Sequence, residues 1–204
     1  LTILIVTPAA VGLLMLAGPL TATIFGYGEF DARDVLMSSY ALMAYSLGLL
    51  GFSMVKVLAP GYFARQDTRT PVRVGIIALS TNMLFNLAVV VPAHLNGFPV
   101  PHALLALSTG LSALLNATLL YRGLRRQGVY APSRNLWRLL PQVAFASAVM
   151  AGFLWWMSGD WSAWAAWGAS ARASQLALCI GGGAGAYFLA LWLAGARPRD
   201  LKSL

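Results

Sequence analysis

Polar side chains inside apolar stretches are the residues of this sequence that could do chemistry. Asn82 and Asn86 lie four residues apart, so their amide groups share one face of a helix. Two amide oxygens on one face could help to ligate a hard cation such as sodium, with more oxygens from Ser108, Thr109 and Asn116 further along the chain. The same side chains could instead form ordinary hydrogen bonds between helices. A cation site and a structural network are both compatible with this pattern.

Lys56 is a charged residue inside the apolar stretch 49–58. A charge in hydrocarbon costs about 3 kcal/mol or more unless it faces protein or water, so such a lysine is a candidate for a transport cavity. Alternatively, its aliphatic stem could lift the ammonium to the membrane surface, which lies only a few residues away. The sequence is compatible with both interpretations.

The charged segment 64–71 follows this stretch directly. Its Arg65 and Asp67 could contact an anionic headgroup or a gate on another part of the protein, so they join Lys56 as candidates for the transport cavity. Pro71 is predicted at the first position of the next helix, where its missing N–H costs nothing, with Thr70 as the N-cap.

The remaining polar residues disfavour other kinds of chemistry. All six acidic residues fall in loops or at helix ends, so no pair of carboxylates is buried for general acid–base catalysis. His94 and His102 lack companion acids or cysteines, and Cys179 has no partner for a disulfide or a soft metal. We therefore expect neither an enzyme nor a metal centre.

The elements that must position these residues are membrane spans. Hydrophobic residues make up 59% of the 204-residue chain and charged residues 10%, which excludes a water-soluble fold. A span needs about 20 mostly apolar residues, and lipid-exposed backbone must satisfy its own hydrogen bonds, so we predict an all-α, polytopic transmembrane bundle of six helices. The predicted spans are 1–25, 34–58, 71–93, 100–121, 136–157 and 172–194. Prolines that permit bends in or near them are Pro8, Pro19, Pro60 and Pro141.

Basic residues are concentrated on one side of these spans. The second loop, the fourth loop and the tail hold eleven of the fourteen Lys and Arg, namely Arg65, Arg69, Arg73, Arg122, Arg125, Arg126, Arg134, Arg138, Arg197, Arg199 and Lys202. The positive-inside rule places these loops and the C-terminus in the cytoplasm, as expected for a multi-pass protein of a bacterial inner membrane. The net charge of +8 thus comes from basic residues at the membrane edges, where they face lipids, and does not indicate nucleic-acid binding. Since the first span is under way at Leu1, we expect the sequence to begin partway through a longer chain.

Five tryptophans lie around the last outer loop: Trp155, Trp156, Trp161, Trp164 and Trp167. The last three recur at every third residue, so their rings share one face of a short helix. Tryptophan prefers the headgroup region, which favours an interfacial belt or a surface helix. A platform that stacks on sugars is the alternative.

Three segments resemble the MurJ (MviN) family of lipid II flippases. Residues 42–72 are similar to that family's tenth helix and following loop, residues 24–30 to the loop before it, and residues 115–121 to its twelfth helix. The resemblance implies part of a fourteen-helix transporter of the multidrug/oligosaccharidyl-lipid/polysaccharide exporter superfamily. Residues 1–93 would then hold family helices nine to eleven. Residues 94–204 would hold helices twelve to fourteen and a cytoplasmic tail.

The resemblance also implies a function and its partners. The family moves lipid II from the cytoplasmic to the periplasmic leaflet by alternating access, so a partner lobe of preceding helices is expected. It implies a sodium site at Asn82, Asn86 and Thr109, although Asn86 is neutral where sodium-binding members can be acidic, and the membrane potential is the other driving force. Residues 136–194 resemble a helix pair that forms a groove for the polyprenyl tail. The alternatives are a multidrug or polysaccharide-precursor exporter of the same superfamily and a non-transporting scaffold for cell-wall assembly.

Overall fold

The computed structural model of the protein describes residues 2–129, 134–159 and 161–196, and throughout them the regular structure is helical. The elements are α1 (Thr2–Met15), α2 (Ala17–Phe25), α3 (Ala32–Phe63), α4 (Arg69–Phe85), a π-helical segment (Asn86–Val90), α5 (Val91–Leu95), α6 (Pro101–Arg126), α7 (Arg134–Ser158), α8 (Trp161–Ala166) and α9 (Ala169–Leu193). Five helical segments in these residues are long and apolar enough to cross a membrane, and α1 with α2 makes a sixth if this bent pair is one span. The predicted all-α, polytopic transmembrane class is confirmed. Asp160 and the tail residues Arg197, Arg199 and Lys202 lie outside the described residues.

The first predicted span is broken rather than continuous. Helices α1 and α2 meet at Leu16 with a bend of 69°. The break lies just before Pro19, which has no N–H to donate to the Met15 carbonyl and whose ring crowds that carbonyl. By contrast, Pro8 and Pro60 lie inside helices that continue past them.

A π-helical turn interrupts the third span, which runs from Arg69 to Leu95. The Val91 N–H donates to the Asn86 carbonyl, five residues back. Pro92 follows at once and cannot donate to the Ala88 carbonyl, so the regular α-helical pattern is interrupted at this point. The wide turn therefore begins at one of the two asparagines singled out by the sequence.

The start of the third span corrects the predicted cap. Helix α4 begins at Arg69, so Pro71 occupies its third position rather than its first. Thr70 does not act as the capping acceptor. Instead, the Asp67 carboxylate accepts hydrogen bonds from the Thr70 N–H at 3.0 Å and from the Thr70 hydroxyl at 2.7 Å. A carboxylate is a stronger acceptor than a hydroxyl, and it also complements the helix dipole.

The chain forms two compact units. Unit 1 contains residues 3–43 and those described between 133 and 204, and unit 2 contains residues 44–132. These units are defined by contacts, whereas the ranges 1–93 and 94–204 follow the family's helix numbering. The division into those two ranges stays a prediction.

Unit 1 has a core between α7 and α9, closed by the short helix α8. Trp164 of α8 is fully buried in this core, and its indole N–H donates to the Ser158 carbonyl at 2.7 Å. The prediction of an interfacial or sugar-stacking ring is therefore wrong for Trp164. Trp155 and Trp156, by contrast, expose 77% and 73% of their surface, as an interfacial belt requires.

Unit 2 is built on a close crossing of α3 and α6. A Cβ added at Gly51 would lie 2.6 Å from the backbone nitrogen of Leu114, and Gly48 faces Gly110 in the same way one turn away. Such small residues let two helix backbones approach in a membrane protein. Further along, the buried Tyr62 hydroxyl donates to the Leu120 carbonyl at 2.8 Å. This crossing fixes α3 against α6 and so positions the polar residues of both helices.

Candidate functional site

A network of hydrogen bonds joins the polar residues of the third and fourth spans. The Asn82 amide nitrogen lies 3.2 Å from the Ser108 hydroxyl oxygen and 3.4 Å from the Thr109 hydroxyl oxygen. The Asn86 amide donates to the Asn82 carbonyl oxygen at 3.2 Å, and the Ser108 hydroxyl donates to the Asn86 carbonyl oxygen at 2.6 Å. The spacing of four residues thus brings Asn82, Asn86 and Thr109 together, as predicted.

A cavity of about 410 Å³ in unit 2 adjoins this network. Its polar lining residues are Lys56, Asn82, Thr109, Ser112 and Asn116. Lys56 has an exposed side chain and lines the cavity from α3. The side-chain oxygen of Asn116 is buried without a hydrogen-bond partner in the described part of the chain. The cavity therefore combines one ammonium group with several neutral donors and acceptors.

Arg65 and Asp67 lie elsewhere, in the loop between α3 and α4. A guanidinium nitrogen of Arg65 donates to the Gln127 side-chain oxygen at 3.1 Å. The hydrogen bond from the Thr70 hydroxyl is the largest of the effects that hold the pKa of the Asp67 carboxyl below its usual value, and the nearby Arg65 charge adds to it. Neither residue is among those that line the Lys56 cavity. Asp67 thus takes the capping role at the start of α4 that the sequence analysis assigned to Thr70.

An apolar groove of about 350 Å³ lies in unit 1. Helices α7 and α9 line it, as the predicted range 136–194 requires, and α1 and α2 form its other wall. Gly183 and Ala184 are among its lining residues, and the Tyr187 hydroxyl donates to the Leu4 carbonyl at 2.8 Å. The lining therefore presents almost no unsatisfied polar group to a ligand.

Arg172 is a residue whose role the sequence did not reveal. It is only 9% exposed, and its guanidinium donates to the carbonyls of Ala22 and Gly26 at the end of α2, at 3.0 and 2.9 Å. Its charge also lies 5.8 Å from the centre of the Tyr27 ring. Arg172 thus satisfies carbonyls that the end of a helix leaves free. The available signal was that Arg172 and Arg33 are the two arginines outside the basic loops and tail.

Metal-binding clusters are absent from residues 2–129, 134–159 and 161–196, where no group of three His, Cys, Asp or Glu side chains could hold an ion. His94 and His102 therefore belong to no such cluster in these residues.

Comparison with known proteins assigns the chain to a family. The family model described as "Lipid II flippase MurJ" matches residues 1–171. The chain is similar to the probable lipid II flippase MurJ of Vibrio cholerae, with 46% identity over 196 residues that cover 96% of this chain and 36% of the relative. It is also similar to the lipid II flippase MurJ of Burkholderia cenocepacia, with 41% identity over 95% of this chain and 36% of the relative. The chain therefore spans about a third of the length of these relatives. With a family model over most of its length and relatives above 40% identity, this multi-pass membrane chain belongs to the MurJ family.

Proposed function

We propose that this chain is the tail-binding and polar-pocket segment of a transporter that moves lipid II from the cytoplasmic to the periplasmic leaflet of a bacterial inner membrane. The observation that carries the proposal is the apolar groove of unit 1, in a chain whose relatives are named lipid II flippases. A polyprenyl tail is a long hydrocarbon that suits a groove of this composition. No covalent chemistry is required of the chain.

The groove supports tail binding through the chemistry of its walls. Leucine, isoleucine, methionine and phenylalanine side chains line it, together with small residues such as Gly183 and Ala184. In lipid, a hydrocarbon gains little from hydrophobicity alone, so a match of shape and dispersion contacts must hold the tail.

The cavity of unit 2 supports a role for Lys56 toward the charged headgroup. Lys56 is the charged residue of its lining, and the other polar residues are neutral amides and hydroxyls. Such a surface favours an anion over a cation. Arg65, exposed in the adjoining loop, offers a second positive charge to the headgroup, while Asp67 holds the start of α4.

The membrane potential is a sufficient driving force for this transport. Moving one charge across 100 mV is worth about 2.3 kcal/mol. An inside-negative potential therefore favours the outward movement of an anionic headgroup. The basic loops support a cytoplasmic C-terminus through the positive-inside rule.

Alternating access requires elements that can change their angle. The bend of 69° at Leu16 and the π-helical turn at Asn86 are two points where a span lacks regular hydrogen bonding. We assign these points as the flexible joints of the segment.

The test is a chimera in which this chain replaces the matching 196-residue segment of the Vibrio cholerae relative. We expect the chimera to rescue cells depleted of their own lipid II flippase. Ala184→Trp should abolish rescue, because Ala184 is an exposed residue of the groove lining and the indole would fill the groove from there. Ala177→Trp is the matched control, since Ala177 is exposed on the same helix two turns away and does not line the groove.

The outcomes separate the proposal from its alternatives. Rescue by the chimera and by Ala177→Trp, with loss in Ala184→Trp at equal expression, supports tail binding in the groove. Failure of a well-expressed chimera would point to another exporter of the superfamily. Rescue that is insensitive to Ala184→Trp would contradict the role of the groove.

A further inference from the structure

We propose that the network of Asn82, Asn86, Ser108 and Thr109 excludes sodium, and that the Lys56 ammonium is the built-in positive charge of the cavity beside it. The proposal goes beyond the transport function and does not depend on it. Its evidence is the direction of each hydrogen bond, the distribution of acidic residues and the lining of the cavity.

The oxygens that would ligate sodium are already in use. The Asn82 carbonyl oxygen accepts from the Asn86 amide, and the Asn86 carbonyl oxygen accepts from the Ser108 hydroxyl. Each amide oxygen has one further lone pair, and the Ser108 proton also lies within reach of the Leu105 carbonyl at 2.9 Å. A sodium ion would therefore compete with hydrogen bonds that the network already makes. Partly buried acceptors in a hydrogen-bonded network give up such bonds only at a cost, because their former donors then lose their partners.

The hydroxyl groups are also turned toward donors. The amide nitrogen of Asn82 faces both the Ser108 and the Thr109 hydroxyl oxygens, at 3.2 and 3.4 Å. The Thr109 hydroxyl proton is directed to the Leu105 carbonyl at 2.9 Å. An N–H group, the positive end of a dipole, therefore faces both hydroxyl oxygens of the network.

Unit 2 has no negative charge near this network. Its sequence, residues 44–132, contains one acidic residue, Asp67. That carboxylate lies in the loop before α4 and is bound to Thr70. Hard cations are held by carboxylate, carbonyl and water oxygens, and unit 2 contributes no carboxylate to this network.

Lys56 adds a positive charge to the same cavity. Asn82 and Thr109 line this cavity together with Lys56. A fixed ammonium disfavours a second cation close by. Asn116 lines the same cavity, and its buried side-chain oxygen has no hydrogen-bond partner in the described residues. The cavity thus already holds a positive charge beside the network.

Sodium-dependent thermal stability of the purified chain in nanodiscs tests the proposal. The unfolding midpoint is measured in sodium chloride and in choline chloride at equal ionic strength. For the parent chain we expect midpoints that agree within about 1 °C. For the double variant Lys56→Gln, Asn86→Asp we expect a sodium-specific and saturable rise of about 3–6 °C when sodium is tenfold above its Kd.

Two controls make the result specific to this site. Lys56→Gln combined with Asn96→Asp has the same net charge, but its new carboxylate lies in an exposed turn outside the network, so we expect no sodium response. Sodium-23 NMR line broadening on the parent gives a second reading that needs no variant to fold. A saturable sodium effect on the parent that is lost in Asn82→Ala would overturn the proposal. So would a folded double variant that does not respond to sodium.

Discussion

Replacement of Arg172 is expected to loosen the end of the broken first span. The guanidinium joins the first turn of α9 to the carbonyls of Ala22 and Gly26, which are 150 and 146 residues away in sequence. Because Arg172 is only 9% exposed, water cannot easily replace it at these carbonyls. The substitution Arg172→Met keeps most of the aliphatic stem and removes the charge and both hydrogen bonds.

The magnitude follows from those two contacts. A hydrogen bond to a charged group contributes about 1.5–3 kcal/mol, so the pair at Ala22 and Gly26 is worth at least about 3 kcal/mol. On the scale of chains of 150–250 residues, this corresponds to a midpoint lower by about 6 °C or more. Gly26→Ala should act in the same direction, because its Cβ would lie 2.6 Å from the Ala22 oxygen and 2.9 Å from the Arg172 guanidinium.

The assay is thermal unfolding of the purified chain, followed by tryptophan fluorescence. Arg33→Met is the matched control, since Arg33 is an exposed arginine of the same unit, and its midpoint should stay within about 1 °C of the parent. If Arg172→Met and Arg33→Met both unfold at the parent temperature, the assignment of Arg172 as the cap of α2 is refuted.

Three further substitutions test other contacts. Gly51→Ala should destabilise the chain by about 1–3 kcal/mol, because the new Cβ meets the backbone of α6 and no rotamer change can accommodate it. Gly181→Ala is the control, since a Cβ there has no neighbour within 4 Å, and it should be neutral or stabilising in the same thermal assay. The lowered pKa of Asp67 implies that its bond to the start of α4 stabilises the fold above the ordinary carboxyl pKa of 3.8 and is lost as pH falls through the lower folded value. Asp67→Ala should therefore flatten the acid limb of a stability–pH curve, and an unchanged limb would contradict this. Tyr187→Phe should cost about 1 kcal/mol by leaving the buried Leu4 carbonyl without its hydroxyl donor, and no change in midpoint would count against that bond.

The spans and the polar network could be predicted because both depend on local periodicity. Six apolar stretches of sufficient length correspond to the helical segments of the structure, since the thickness of the bilayer fixes the length of a span. Asn82 and Asn86 share a face because they are one helical turn apart, and Ser108 and Thr109 meet them from the next long span. Sequence spacing alone could not give the direction of these hydrogen bonds, because spacing does not show which amide atom faces which hydroxyl.

Features that depend on contacts distant in sequence could not be predicted. Periodicity placed Trp164 on a face with its neighbours, but burial of that face depends on how α8 packs against unit 1. The role of Arg172 could not be predicted, because the carbonyls that it binds lie about 150 residues away in sequence. The break at Leu16 was missed for a different reason. Prolines are common in membrane helices, and the sequence does not show that Pro19 ends a helix while Pro8 and Pro60 do not.

The most direct test of the central claim, that the groove of unit 1 holds the lipid tail of lipid II, is site-specific photocrosslinking in the chimera with purified lipid II. Benzoylphenylalanine replaces either Ile180, which lines the groove, or Leu178, which is similarly exposed on the same helix but does not line it. We predict a crosslink to the polyprenyl tail from position 180 and little from position 178. Equal crosslinking from both positions, or none from position 180 in a folded protein, would contradict the claim.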